Sequence, residues 1–201
     1  MALSNYSELK TEVEAFSHRS DLTDKMDTFC LLAESVINKD LRTHDMEKRL
    51  SITFDDAFED LPSDYLEIRA LHVEDGNCRV PIKQYTPQQL DRLYSAATGT
   101  IGGFTIQGGQ LELRPAASVT ATVDGELTYF ARVPTLVTNS TNDIFTNFPL
   151  IYLSSMLVQL SLYLQDEEEI NRWSQMYDSQ ISEANKSSQG GRYLLPQVQV
   201  I

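Results

Sequence analysis

The chain has 201 residues, 41% of them hydrophobic, and its 16 Lys plus Arg against 29 Asp plus Glu leave a formal net charge of -13. That length carries a core of one or two domains, and so acidic a balance without clustered cations excludes a protein that grips nucleic-acid phosphates. Two separated cysteines, Cys30 and Cys78, exclude a disulfide scaffold and fit a reducing compartment, and the start Met1-Ala2-Leu3-Ser4-Asn5 lacks the pattern of a signal peptide.

Residues 5 to 16 read as a short helix, capped by Asn5 or Ser7, with Leu9, Val13 and Phe16 at helical spacing. Ser20 is a candidate cap for a second helix, whose stripe is Leu22, Met26, Phe29, Ala33, Val36 and Ile37 and whose end is expected at Asn38. Leu50 to Phe54 alternates as a half-buried strand does, and Asp55 to Asp60 reads as an acidic connector. Leu61-Pro62-Ser63-Asp64-Tyr65 resembles a helix start, continued by Leu66, Ala70 and Leu71. Asp75-Gly76-Asn77 is a turn, and Arg79 to Lys83 a returning strand.

Thr86-Pro87-Gln88-Gln89 predicts a capping box with proline in the first helical position, followed by the stripe Leu90, Leu93, Tyr94 and Ala97. Phe104 to Gln107 and Gln110 to Leu113 flank Gly108-Gly109, the signature of a tight hairpin. Ala121 to Asp124 and Gly125 to Arg132 read as further strand, and Leu136 to Asn147 as a polar loop. Pro149 opens a long uncharged helix to about Leu164, too polar and too short for the roughly 20 apolar residues of a membrane span. Asp166 to Glu169 suit the N-terminus of a last helix, with Ile170, Trp173, Tyr177, Ile181 and Ala184 on one face. Lys186 to Gly191 reads as a flexible linker.

Beyond it lies an apolar segment too short to form its own core. Arg192, Tyr193, Leu194, Leu195, Pro196, Val198, Val200 and Ile201 are the candidate partner-docking residues. Such a segment can add to an exposed sheet edge of a neighbour. The expected fold is α+β: a helical bundle built from the N- and C-terminal helices, a small β-rich insertion and an extended C-terminal arm. The expected boundaries are 1–40 for the first bundle helices, 41–135 for the insertion, 136–186 for the long C-terminal helices and 187–201 for the arm.

Chemistry is sparse. No HExxH, GxSxG, CxxC or P-loop motif is present. His44-Asp45 and His72-Val73-Glu74 together resemble half a zinc site, but surface histidines are the simpler reading. Asp55-Asp56, Glu59-Asp60 and Asp166 to Glu169 lack the ligand spacing and turn glycine of a calcium loop. No catalytic, cofactor or metal residues are assigned. Tyr152 and Tyr163, on the uncharged helix, suit a core or a subunit contact.

Several blocks, taken in order, carry a resemblance. They are Leu61 to Arg69, Pro81 to Leu90, Phe104 to Pro115, Leu127 to Pro134, Thr141-Asn142 and Pro149 to Leu153. Across roughly Leu22 to Ala184 the chain resembles the head-to-tail adaptor (head-completion or connector) proteins of tailed bacteriophages. The resemblance implies a homo-oligomer, a ring of usually twelve copies beneath the portal protein, which extends the DNA channel and offers a platform to tail or nozzle proteins. DNA would pass through the lumen without sequence-specific binding. It implies no cofactor, no catalytic residues, no membrane, a place at the head–tail interface of the virion after assembly in the host cytoplasm, and terminal arms that reach a portal or a neighbour. The competing readings are a tail-completion or other virion structural protein, and a metal-dependent enzyme using His44 and His72.

Overall fold

A computed structural model of the protein describes residues 3–76, 78–94, 99–115 and 123–190. The fold is mixed α+β, rich in helix and with a substantial β region. The chain divides into two compact units: Glu47–Arg132, and the two flanking segments taken together.

The flanking segments form the helical unit. Helix α1, Tyr6–Ser17, starts where the Asn5 side chain accepts from the Glu8 N–H, and it ends at His18, whose φ of 53° turns the chain out of the helix. Leu9 and Val13 are fully buried. Helix α2 runs Met26–Asp40 after a single 3-10 turn, Thr23–Lys25, so Ser20 does not cap it. Nor does Asn38 end it. The Asn38 side chain accepts from the Val133 N–H at 2.8 Å, and the helix continues another two residues. The region expected as a polar loop holds two short helices, α4 Leu136–Asn139 and α5 Asp143–Asn147, with α3 described below. Thr135 and Asn142 cap them. The Thr and Asn richness that suggested a loop is therefore a supply of caps, while Leu136, Ile144 and Phe145 go into the core.

Helix α6, Pro149–Leu164, is buried nearly all round from Ile151 to Leu157, as expected of a helix apolar on every side. It packs on α1, α2 and α5, and its strongest packing is against α7, Glu167–Gly190. Gln165, with φ 59°, makes the reversal between them. The Asp166 side chain then accepts from the Glu169 N–H. Trp173, Tyr177, Ile181 and Ala184 are buried along one face, as their spacing predicts.

The flexible linker expected from Lys186 is not there: α7 continues to Gly190. Hydrogen bonds explain the continuation. The Asn185 side chain accepts from the Arg42 N–H at 2.8 Å and donates to the Asp40 carbonyl at 3.0 Å. The Ser188 hydroxyl accepts from the His44 N–H at 2.9 Å and is buried. Ser and Asn, read locally as helix-weakening residues, here satisfy backbone groups from the segment after α2. Among the described residues no helix is long and apolar enough to cross a membrane.

The second unit is a seven-stranded sheet in the order β1-β7-β3-β4-β5-β6-β2. Its strands are β1 Glu47–Phe54, β2 Phe58–Asp60, β3 Tyr65–Asp75, β4 Cys78–Gln84, β5 Gly103–Gln107, β6 Gln110–Arg114 and β7 Val123–Ala131. All neighbours are antiparallel except β4 and β5. Helix α3, Pro87–Leu93, has the full capping box from Thr86 and Gln89, with Pro87 in its first turn. The hairpin at Gly108-Gly109 has φ of 62° and 85°, the positive pair that a type I′ turn requires.

Two expectations fail here. The acidic connector contains β2, which pairs with β6. The helix expected from Leu61 is strand β3, paired with β7 from Tyr65 to Val73 and with β4 from Leu71 to Asp75. The register of β3 against β7 shifts between Tyr65 and Glu67 and again between Ile68 and Ala70. Each irregularity adds a residue between inward positions, so Tyr65, Ile68 and Leu71 reach the core three apart. That spacing imitates a helical stripe in the sequence.

Candidate interaction surfaces

The C-terminal segment Arg192–Ile201, the sequence-predicted docking segment, lies outside the described residues. Among the described residues no three His, Cys, Asp or Glu side chains gather as a metal ion would need. His44 sits in a single turn of the helical unit and His72 on β3 of the sheet unit.

On the sheet unit five cations, Lys48, Arg49, Arg69, Arg79 and Arg114, are tied to carboxylates. Arg49 and Arg79 both pair with Glu126, and Arg79 also reaches the His72 ring at 3.3 Å. Arg69 pairs with Glu47 at 3.3 Å, and Arg114 with Glu112 at 2.8 Å. The Tyr129 hydroxyl donates to Asp64 at 2.9 Å, and Lys48 meets the same carboxylate at 2.6 Å. Burial acts to raise the Asp64 carboxyl, but the Lys48 and Tyr129 hydrogen bonds outweigh it and hold it below its ordinary range. Burial and the bond to Asp64 push the Tyr129 phenol up to about 12. Arg49–Glu126 joins the adjacent strands β1 and β7, Arg69–Glu47 and Arg79–Glu126 each reach across an intervening strand, and Arg114–Glu112 lies within β6. All four engage charges that a phosphate backbone would otherwise attract.

The helical unit carries a buried polar network. Glu34 on α2 is 5% exposed. Its Oε1 accepts from the Leu136 N–H at 2.7 Å and from the Cys30 thiol at 3.7 Å, so one carboxylate serves the start of α4. Nearby, Asn142 donates to the Pro134 carbonyl at 2.7 Å and to the fully buried Tyr152 hydroxyl at 2.8 Å. Burial pushes the Glu34 carboxyl above its ordinary value, against the hydrogen bonds from Thr135 and Leu136. The folded protein therefore holds that proton more tightly than the unfolded chain. The group costs nothing below the ordinary Glu value, and stability falls as pH rises from there through the raised value. Glu34→Gln keeps an acceptor for Leu136 and removes the ionisation. The expected result is a variant more stable than the parent at pH 7, with the gap closing towards about pH 4. Urea denaturation across that range is the measurement, and a gap independent of pH would refute it.

The helical unit also leaves apolar side chains in solvent. Phe16, Leu31, Leu32, Leu162 and Tyr163 are each about half exposed. The Tyr163 ring lies 5.6 Å from that of Phe29, so the sequence alternatives for the two tyrosines divide: Tyr152 is core and Tyr163 is surface. Where α1 ends, α6 ends and α7 begins, a cleft of about 240 Å³ opens. Leu157, Leu160 and Leu164 from α6 line it, together with Phe16 and Trp173. The Phe16 and Trp173 rings meet edge to face at 5.7 Å. Asp166 and Glu169 stand at its acidic side, and Glu12 and Arg172 line the adjoining recess. No sequence motif marks this cleft, because α1 at one end of the chain and the consecutive helices α6 and α7 at the other contribute its walls.

This helix-rich α+β protein exposes apolar side chains and an apolar cleft, features of the kind that contacts between proteins bury. The chain belongs to the SU10 adaptor protein family, which it matches over residues 4–199. It is thus a head-to-tail adaptor of a tailed bacteriophage, with a structural and not an enzymatic role, in agreement with the resemblance carried by its sequence blocks. Its place is with the virion, and membership implies ring assembly and contact with portal or tail proteins. A comparison with curated proteins returned no match.

Proposed function

We propose that twelve copies of this chain close into a ring beneath a portal protein, extend the DNA channel and present a platform to tail or nozzle proteins. The family match over residues 4–199 carries this reading. The half-exposed apolar side chains of the helical unit support it, since subunit contacts bury apolar surface. The net charge of -13 and the ion pairs of Lys48, Arg49, Arg69, Arg79 and Arg114 support a lumen that lets DNA pass without holding it, because unpaired Lys and Arg are what make phosphate contacts adhesive. The arm Arg192–Ile201 docks on a partner, and assembly takes place in the host cytoplasm before the particle is complete. Particle mass measurement of the chain mixed with its portal is expected to show one species of fixed high order. Monomer alone in that mixture would overturn the ring.

A further inference from the structure

We propose that the cleft between the end of α1, the end of α6 and the start of α7 receives Tyr193, Leu194 and Leu195 from the arm of a second copy of this chain. The proposal rests on the ring reading above and names the receptor for the arm.

Three observations support it. The first is chemical fit. The cleft has a leucine floor and an aromatic wall, Leu157, Leu160, Phe16 and Trp173, and the arm offers a tyrosine and two leucines in a row. Phe16 remains 50% exposed, so this wall is unfinished in the single chain.

The second is charge. Asp166, Glu169 and Glu12 flank the opening, with Arg172 as the counter-charge beside Glu169. Residues 191–201 contain one cation, Arg192, and no acidic side chain. Arg192 directly precedes the apolar triplet, so seating the triplet brings a positive charge to an acidic edge.

The third is reach. The arm starts after Gly190, at the far end of α7 from the cleft. Trp173 and Gly190 are separated by about 26 Å of helix at 1.5 Å per residue. A fully extended chain carries Leu195 only about 18 Å beyond Gly190. The triplet of one chain therefore falls short of its own cleft, and a second copy must supply it. In a ring, each copy then gives one arm and receives one, which is a heterologous contact that closes on itself.

Disulfide trapping in the full-length chain tests this. Exposed Cys78 is changed to Ser, and buried Cys30 is kept. One batch carries Ala15→Cys at the exposed recess wall, and another carries a cysteine at 193, 194 or 195 in turn. Mixed and oxidised at assembling concentration, the two batches are expected to yield covalent pairs from at least one arm position. Leu194→Asp, which would place a charge in the apolar cleft, should cut the yield on the order of tenfold or more. A chain carrying both cysteines that closes on itself at high dilution would overturn delivery by a second copy. Rings of the expected mass with no covalent pair from any arm position would overturn the cleft as receptor while leaving the ring intact. Pairing of the arm cysteines with the portal instead would assign the arm to that partner and overturn the proposal. Failure of any particle to form, with portal present, would overturn the ring and the proposal together.

Discussion

Changing Tyr152 to alanine is expected to destabilise the helical unit by about 3–5 kcal/mol, the range for deleting a buried aromatic side chain. Typical domain stability is only about 5–15 kcal/mol. Tyr152 is fully buried on α6, its ring stands edge-on to Phe145 at 5.4 Å, and its hydroxyl accepts from Asn142. Asn142 in turn caps α5 through the Phe145 N–H at 2.7 Å and donates to the Pro134 carbonyl. Alanine removes the ring and one leg of that network together. Phenylalanine keeps the packing and leaves a single Asn142 N–H without its partner, a cost of about 1–3 kcal/mol. Urea midpoints of the full chain, read through its one tryptophan, Trp173, separate the cases. An alanine variant no weaker than the phenylalanine variant would refute the account.

Deletion of Arg192–Ile201 is expected to have its large effect on assembly and little on folding. The last turns of α7 are fastened without the arm, by Asn185 and Ser188 accepting from Arg42 and His44. The unfolding free energy from urea denaturation should therefore change by no more than about 0.5 kcal/mol, as for changes remote from packed features. Each docked arm would bury several apolar side chains, at about 1.5–3 kcal/mol apiece before ordering costs. Each subunit contact should accordingly weaken on the order of 10- to 100-fold. Particle mass as a function of concentration, with and without portal, reads that change directly. An assembly curve identical to that of the full chain would show that the arm contributes no contact.

These two residue sets were legible in the sequence to different degrees. Tyr152 lies in an uncharged run that reads plainly as a buried helix, and its hydroxyl partner, Asn142, lies in a stretch that reads as loop. Short helices such as α4 and α5 cannot announce themselves by periodicity, since four or five residues span little more than one turn. Their caps, Thr135 and Asn142, were the only local trace. The arm's apolar character was visible from composition, but its proposed receptor was not. Phe16, Leu160 and Trp173 come from three separate helices, and only their packing sets them side by side.

By itself the sequence determined the features that depend on near neighbours. The Asn5 cap, the Thr86–Gln89 box, the Gly108-Gly109 turn, the α2 stripe from Met26 to Ile37 and the α7 face from Trp173 to Ala184 are all local patterns of shape and hydrogen bonding. Its ordered blocks also sufficed for the adaptor resemblance. Tertiary structure alone decided the rest, wherever a distant partner outweighs local preference. The β3 backbone is extended because β7 pairs with it from Tyr65 to Val73 and β4 joins on the other side from Leu71, although its bulges give it a helix-like spacing. Helix α7 runs through Ser187 and Ser188 to Gly190 because the segment after α2 needs acceptors there. Glu34 stays buried because the start of α4 needs one as well.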